Sequence, residues 1–294
     1  MQIFLLGKNG QLGWELQRTL ATLADLTALD FPEIDLTRPD LVCDMIRETR
    51  PALIINATAY TQVDQAERDP ELAMAINGAA PGRLAETAAE IGAALIHYST
   101  DYVFDGRKGS SYTEYDPVNP INAYGRTKLA GDQAVASLAG SYWIFRTSWV
   151  FSLRRDSYVT KVLGWARKES VLRIVDDQVG SPTWCRSLAE ITAQLIARAG
   201  ETPQDWIAER RGLYHLAGDG AASRFEWAKE ILHLDPRRDE QVCKEIFPAS
   251  THDFPAPAER PLYSALNCDL FKNTFGLKLP AWQQTLRLAM ENPQ

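Results

Sequence analysis

Gln2-Ile3-Phe4-Leu5-Leu6-Gly7-Lys8-Asn9-Gly10-Gln11-Leu12-Gly13 decides the fold. Four consecutive apolar residues read as a strand buried on both faces, and they run straight into a turn with glycine at every third position. Trp14, Leu16, Leu20 and Leu23 then recur at helical spacing. A strand, a glycine turn and a helix make a βα unit whose helix N-terminus offers unpaired N–H groups and a positive dipole end to a phosphate. The spacing is GxxGxxG rather than GxGxxG, a variant that still lets backbone approach pyrophosphate and helix pack closely on strand.

Outward from this unit the same alternation repeats. Leu26–Leu29 reads as a second strand with Asp30 at its end, 17 residues after Gly13. An acid there can accept from an adenosine ribose, which favours NAD over its 2′-phosphorylated form. Asp35-Leu36-Thr37 precedes a helix over 39–49, and 52–56 is a third strand followed by Ala57-Thr58-Ala59-Tyr60-Thr61. Helical pattern fills 70–91 around Asn77, 94–98 is a fourth strand and 142–146 a fifth, ending in Thr147-Ser148-Trp149-Val150-Phe151. Strands alternating with helices predict an α/β fold, a Rossmann-type doubly wound parallel sheet, with ligands at the C-terminal strand ends. Beyond this the alternation loosens: helix 158–167, strand 172–175, a turn over 177–183, helix 188–199, strand 212–216, and a helix over 223–232 capped by Ser223. From about Ala217 proline and aromatic residues are richer, which suggests a smaller C-terminal α/β substrate lobe. The expected division is residues 1–151 with about 174–216 as the dinucleotide-binding domain, and about 152–173 with 217–294 as the lobe.

Bulk properties exclude several classes. A net charge of −7 over 294 residues argues against nucleic acid, whose phosphates need clustered Lys and Arg. Cys43, Cys185, Cys243 and Cys268 show no metal-ligand spacing and suit free thiols in a reducing compartment. The four histidines are dispersed, against a zinc site. No apolar run reaches membrane-helix length and Met1 leads directly into a strand, so the expectation is a soluble, cytoplasmic protein without a membrane partner.

The chemistry is suggested by Tyr124-Gly125-Arg126-Thr127-Lys128. A Tyr and a Lys four apart share one face of a helix, and an ammonium beside a phenol favours the phenolate. The spacing thus predicts that Lys128 lowers the Tyr124 pKa toward the working range. Ser99-Thr100-Asp101 stands at the end of the fourth strand, and Thr100, 24 residues before Tyr124, is placed to hold a substrate oxygen beside the phenol. Read alone, that tripeptide is equally a turn or a helix cap.

The assembled motifs resemble the extended short-chain dehydrogenase/reductases and, within them, the dTDP-4-dehydrorhamnose reductase family. The resemblance covers nearly the whole chain. It is carried by Gly7-x-x-Gly10-Gln11-Leu12-Gly13, Asn56-Ala57-x-Ala59-Tyr60-Thr61, Val63-Asp64-x-Ala66-Glu67 and Tyr124-Gly125-x-x-Lys128. More specific are Ser99-Thr100-Asp101-Tyr102-Val103-Phe104-Asp105-Gly106, Arg146-Thr147-Ser148-Trp149-Val150, Asp177-Gln178-x-Gly180-Ser181-Pro182-Thr183 and Arg260-Pro261-x-x-Ser264-x-Leu266. It implies hydride transfer from NADPH or NADH to the C4 keto group of dTDP-4-dehydro-L-rhamnose, the last step of dTDP-rhamnose synthesis. Tyr124 would protonate the alkoxide, Lys128 would also hold the nicotinamide ribose, and Thr100 would bond the carbonyl oxygen. Asp101, Tyr102 and Trp149 would contact the substrate. Cofactor contacts would fall on Gly7, Gly10, Gln11, Leu12, Asp30, Asp35, Leu36, Ala59, Tyr60 and Thr61, besides Tyr124 and Lys128.

Some relatives dimerise around Mg²⁺ held by glutamates. Glu15 and Glu291 match two of those positions, but the third is Arg186, with Glu190 a turn further on. A cation in place of a carboxylate argues against a hard-metal site, so the expectation is no metal and a monomer or weak homodimer. Two rivals are weighed. A 4,6-dehydratase on this scaffold resembles Thr-Asp-Glu, and Tyr102 here removes the elimination acid, whereas a 4-epimerase shares the Tyr, Lys and hydroxyl. A regulatory subunit of methionine adenosyltransferase has the same scaffold, but has no need of the intact Thr100, Tyr124 and Lys128 set.

Overall fold

The computed structural model describes residues 1–291. Its centre is a six-stranded sheet of β1 (Gln2–Leu6), β2 (Asp25–Leu29), β3 (Leu53–Asn56), β4 (Ala94–Thr100), β5 (Ser141–Thr147) and the strand Gly212–His215. In space the order is Gly212–His215, β5, β4, β3, β1, β2, and every pairing is parallel. The order reverses between β1 and β3, which opens a crevice at their C-terminal ends. The Rossmann-type sheet expected from the alternation is therefore present.

Period-two geometry explains why the strands read as continuous apolar runs. Ile3 and Leu5 point to a core shared with Leu16 and Leu20 of the helix Gln11–Leu20 and Leu188 and Leu195 of the helix Cys185–Ala199. Phe4 and Leu6 point the other way, to Val42, Ile46, Leu84 and Val135 on the helices Pro39–Thr49, Ala80–Ile91 and Ala123–Leu138. Both faces are covered, and each buried Ile, Leu or Phe contributes about 1.5–3 kcal/mol of apolar transfer. A third apolar cluster joins Phe151, Val159, Leu172, Ile174, Trp227 and Leu286. Phe271 and Phe275 of the helix Asp269–Phe275 return instead to the main core, against Phe145, Trp143 and Tyr214.

Two local features differ from the sequence pattern. The long helical stretch around Asn77 is Pro70–Met74, a π-helical turn Ala75–Ala79 and then Ala80–Ile91. The wider turn lets the Asn77 side chain accept from Tyr60 N at 2.8 Å and donate to Tyr60 O at 3.1 Å and Thr127 Oγ1 at 3.2 Å. Glu245–Ala249, unremarked in the sequence, is a strand parallel to Val171–Val175.

Candidate active site

Gly7 follows β1 with a φ of 95°, a conformation favourable only for glycine, and Gly10 N donates to Gly7 O at 3.0 Å to close the turn. A Cβ on Gly13 would lie 1.9 Å from Gly7 O, so the first helix packs on the loop with no room for a side chain. That helix starts at Gln11 with no side-chain cap and no acid in its first turn. Gln11 Oε1 is buried without a partner. Uncapped helix N–H groups and a close-packed glycine turn fit a dinucleotide pyrophosphate, whereas the orphaned Gln11 oxygen suits a donor such as a ribose hydroxyl.

Asp30 stands at the tip of β2, where its Oδ2 accepts from Asn9 N and its Oδ1 from Phe31 N, both at 2.8 Å. The carboxylate thereby pins the glycine loop as well as facing the crevice edge. Asp35 Oδ1 accepts from Thr37 N at 2.9 Å, while the Leu36 side chain is buried in the core. Ala59 and Tyr60 lie half-buried after β3, with Thr61 exposed beyond them. Sequence reasoning missed Arg154 and Arg155. Arg154 donates to Asn9 O at 3.0 Å and lies 4.6 Å over the Trp14 ring, and Arg155 also donates to Asn9 O. The available signal was a pair of adjacent basic residues just after the Thr147–Phe151 stretch.

β4 delivers Thr100 to the same crevice, and the helix Ala123–Leu138 delivers Tyr124 and Lys128. Asn122 starts this helix by accepting from Gly125 N at 2.8 Å, and Glu67 Oε1 accepts from Ala123 N at 2.6 Å. The Thr100 hydroxyl lies beside the Tyr124 phenol. The Tyr102 ring meets Tyr124 edge to face, with centroids 5.7 Å apart.

The phenol departs from the expectation that Lys128 lowers its pKa. Burial pushes the Tyr124 pKa up; the neighbouring Thr100 hydroxyl opposes this, and the charges of Asp101 and Asp132 reinforce it. The Lys128 side chain, 1% exposed, donates from Nζ to Tyr98 O at 2.7 Å and meets His97 Nε2 at 3.3 Å. Burial pulls its pKa down to about 8 against the attraction of Asp132. Tyr124 therefore holds its proton firmly at neutral pH and is set up as an acid.

Asp101 differs from the substrate contact implied by resemblance, because its carboxylate is turned inward and is 2% exposed. Oδ2 accepts from Ser148 Oγ at 3.0 Å and Ser264 Oγ at 2.5 Å, and Oδ1 accepts from Thr100 Oγ1 at 3.2 Å. Trp149 sits at φ 44°, a strained conformation for a bulky residue, and its ring stacks on Trp227 at 5.6 Å. The Arg224 guanidinium lies 3.5 Å over Trp149 and 4.8 Å over Tyr158. The charges of Arg224 and Arg260 both lie near the Tyr102 hydroxyl, and Arg260 grips the Asp64 carboxylate with both terminal nitrogens. A cavity of about 370 Å³ beside them is walled by Tyr158, Trp165, Ile174, Phe254, Arg173 and Arg224. Arg224 carried no signal in the sequence beyond following the helix-capping Ser223.

Glu15, Arg186 and Glu190 line a separate cavity of about 210 Å³ together with Arg154. Arg186 Nε donates to Glu190 Oε1 at 2.9 Å, and its charge also draws down the Glu15 pKa that burial raises. Glu291 ends the helix Trp282–Glu291 and is exposed. Among the described residues no group of three or more His, Cys, Asp or Glu is arranged to hold a metal, no cysteine is paired, and no helix is long and apolar enough to cross a membrane.

The family model for the RmlD substrate binding domain matches residues 1–294. A dTDP-4-dehydrorhamnose reductase of Burkholderia thailandensis is 40% identical over 295 residues, covering 99% of each chain. The crystal structure of such a reductase from Clostridium acetobutylicum has a TM-score of 0.90 at 34% identity, covering 99% of each chain. One from Bacillus anthracis, solved in complex with NADP, has a TM-score of 0.88 at 33% identity, covering 99% of this chain and 98% of that one. With the glycine loop, the Thr100–Tyr124 pair and the buried lysine in one crevice, and with likeness running end to end, this chain belongs to the dTDP-4-dehydrorhamnose reductase family.

Proposed function

We propose that the protein reduces the C4 keto group of dTDP-4-dehydro-L-rhamnose to give dTDP-L-rhamnose, with NADPH or NADH as reductant. The observation that carries this reading is the Thr100–Tyr124 hydroxyl pair at the end of β4, beside a glycine loop built for a dinucleotide. A reduced nicotinamide, when bound, supplies the hydride. Gly7, Gly10, Gln11 and Leu12 would hold the pyrophosphate, Asp30 and Asp35-Leu36 the adenosine side, and Ala59-Tyr60-Thr61 the stretch between the two halves. Lys128 would hold the nicotinamide ribose.

With substrate bound, Thr100 turns its hydroxyl proton from Asp101 to the keto oxygen and orients that oxygen toward Tyr124. The phenol donates its proton to that oxygen as negative charge develops there. Its raised pKa keeps it protonated until the alkoxide, a far stronger base than the ketone, forms. Asp101 acts from behind, holding the Thr100 hydroxyl in place until the keto oxygen takes over its proton. Tyr102 and Trp149 face the sugar, and Arg224 offers a guanidinium group to the diphosphate, while Arg260 is held by Asp64. Residues 1–151 with about 174–216 would carry the cofactor, and about 152–173 with 217–294 the sugar nucleotide. A cytoplasmic monomer or weak homodimer fits this role.

The test is product formation. The protein is incubated with dTDP-4-dehydro-6-deoxyglucose, a separate epimerase and either reduced cofactor. Epimerase-dependent oxidation at 340 nm together with dTDP-rhamnose on chromatography supports the reading. A folded protein that oxidises neither cofactor overturns it.

A further inference from the structure

Asn56 and His97 are partners in the β3–β4 register, and their side chains meet beneath Lys128. Asn56 Oδ1 accepts from Thr58 N at 3.1 Å and from Thr58 Oγ1 at 2.5 Å. A backbone N–H can only donate, so the amide orientation is settled and Nδ2 is the atom facing His97 Nδ1 at 3.1 Å. Nδ2 can only donate as well. His97 Nδ1 must therefore be the bare, accepting nitrogen, and the neutral ring carries its hydrogen on Nε2.

Nε2 lies 3.3 Å from Lys128 Nζ and 4.0 Å from Asp132 Oδ1, an oxygen with no hydrogen-bond partner. An Nε2–H suits that oxygen. Toward the lysine it is satisfied only by an amine lone pair, since an ammonium would set N–H against N–H. The ring does not escape by protonating, because burial and the Lys128 charge both hold the His97 pKa well below its ordinary value.

We propose that Asn56 and His97 are positioning residues for Lys128: by locking the imidazole with Nε2–H toward the lysine, they favour the neutral amine and set the pH at which Lys128 changes charge. The charged and titratable groups around the lysine are His97 from β4, Asp132 and Tyr124 from its own helix, and Arg146 from β5. Arg146 neutralises Asp132 through a 3.1 Å bond. Asp132 pulls toward the ammonium and burial toward the amine; the locked imidazole adds to burial. The consequence for catalysis rests on the role proposed above for Lys128; the tautomer and the lysine titration do not.

The experiment reads both directly in the ligand-free protein. With ¹⁵N-labelled histidine, His97→Gln identifies the His97 signals among four, and the ring shifts report which nitrogen is protonated. With ¹³C-labelled lysine, assigned by Lys128→Arg, the Lys128 Cε shift is followed against pH. The expected result is an Nε2–H tautomer in the wild type. The Lys128 midpoint should rise by about one pH unit or more in His97→Gln, whose amide oxygen can accept from an ammonium. Asn56→Asp, which accepts from Nδ1–H and turns the bare nitrogen toward the lysine, should raise it too. An Nδ1–H tautomer in the wild type overturns the proposal and needs no variant to fold. A rise in Asn56→Asp without one in folded His97→Gln also overturns it, because added negative charge alone accounts for that.

Discussion

Ser264 Oγ donates to Asp101 Oδ2 at 2.5 Å, joining residues 163 positions apart. Ser148 donates to the same oxygen, so one buried carboxylate ties the ends of β4 and β5 to the Arg260–Leu266 segment directly behind Thr100. The specific motifs around these three residues thus share one hydrogen-bond centre.

That centre has a pH signature. Burial raises the Asp101 pKa to about 6, with the Ser264, Ser148 and Thr100 bonds drawing it back. The unfolded carboxyl ionises near ~4, so between about pH 4 and 6 the native state binds the extra proton and stability falls as pH rises. Asp101→Asn removes this dependence. Denaturant unfolding at pH 4 and pH 7 should show the wild type losing on the order of 3 kcal/mol relative to Asp101→Asn. Parallel curves for the two proteins would place the ionisation elsewhere.

Gly125 follows the proposed acid, and a Cβ there would sit 2.1 Å from Tyr102 O. Gly125→Ala must push the helix away from the Tyr102 loop and separate Tyr124 from Thr100. The expected cost is about 1–3 kcal/mol of stability and a loss of kcat of about 10²-fold. Initial rates and thermal melts on the folded variant check this.

Arg224 lies over Trp149 and Tyr158, among the residues proposed to meet the sugar nucleotide. Arg224→Ala should raise the KM for the sugar nucleotide by about tenfold to a hundredfold, the worth of a lost charge-assisted bond, and leave the cofactor Kd unchanged. Steady-state kinetics with cofactor fluorescence titration separates the two. Weakened cofactor binding would contradict this division of the crevice.

Arg186 sets its guanidinium among Glu15 and Glu190. Activity should accordingly withstand EDTA and gain nothing from added Mg²⁺, measured as initial rate after dialysis. Loss on chelation and recovery with Mg²⁺ would show that the acids bind metal despite the arginine.

Much of this was readable in the chain. The Gln2–Gly13 unit declares itself because strand burial, glycine spacing and helix periodicity are all local. Tyr124 and Lys128 follow from a four-residue spacing. What the sequence concealed depends on contacts between distant segments. The Asn77 side chain is held by a π-turn that periodicity reads as plain helix. Glu245–Ala249 pairs with a strand far earlier in the chain and contains a proline, so it lacks a strand pattern of its own. Asp101 looks like a free acid until Ser148 and Ser264 are brought to it. The Lys128–Tyr124 spacing correctly predicts neighbours on one helix face, but burial outweighs proximity in setting the phenol's proton affinity.

The most direct measurement is the comparison of Tyr124→Phe with wild type in the coupled reductase assay, alongside cofactor binding by each. The expected result is that kcat falls by about 10²–10⁴-fold, the usual worth of a positioned acid, while the Kd for NADPH or NADH stays within a few-fold. A variant that keeps wild-type kcat would contradict it and move the proton donor to another group.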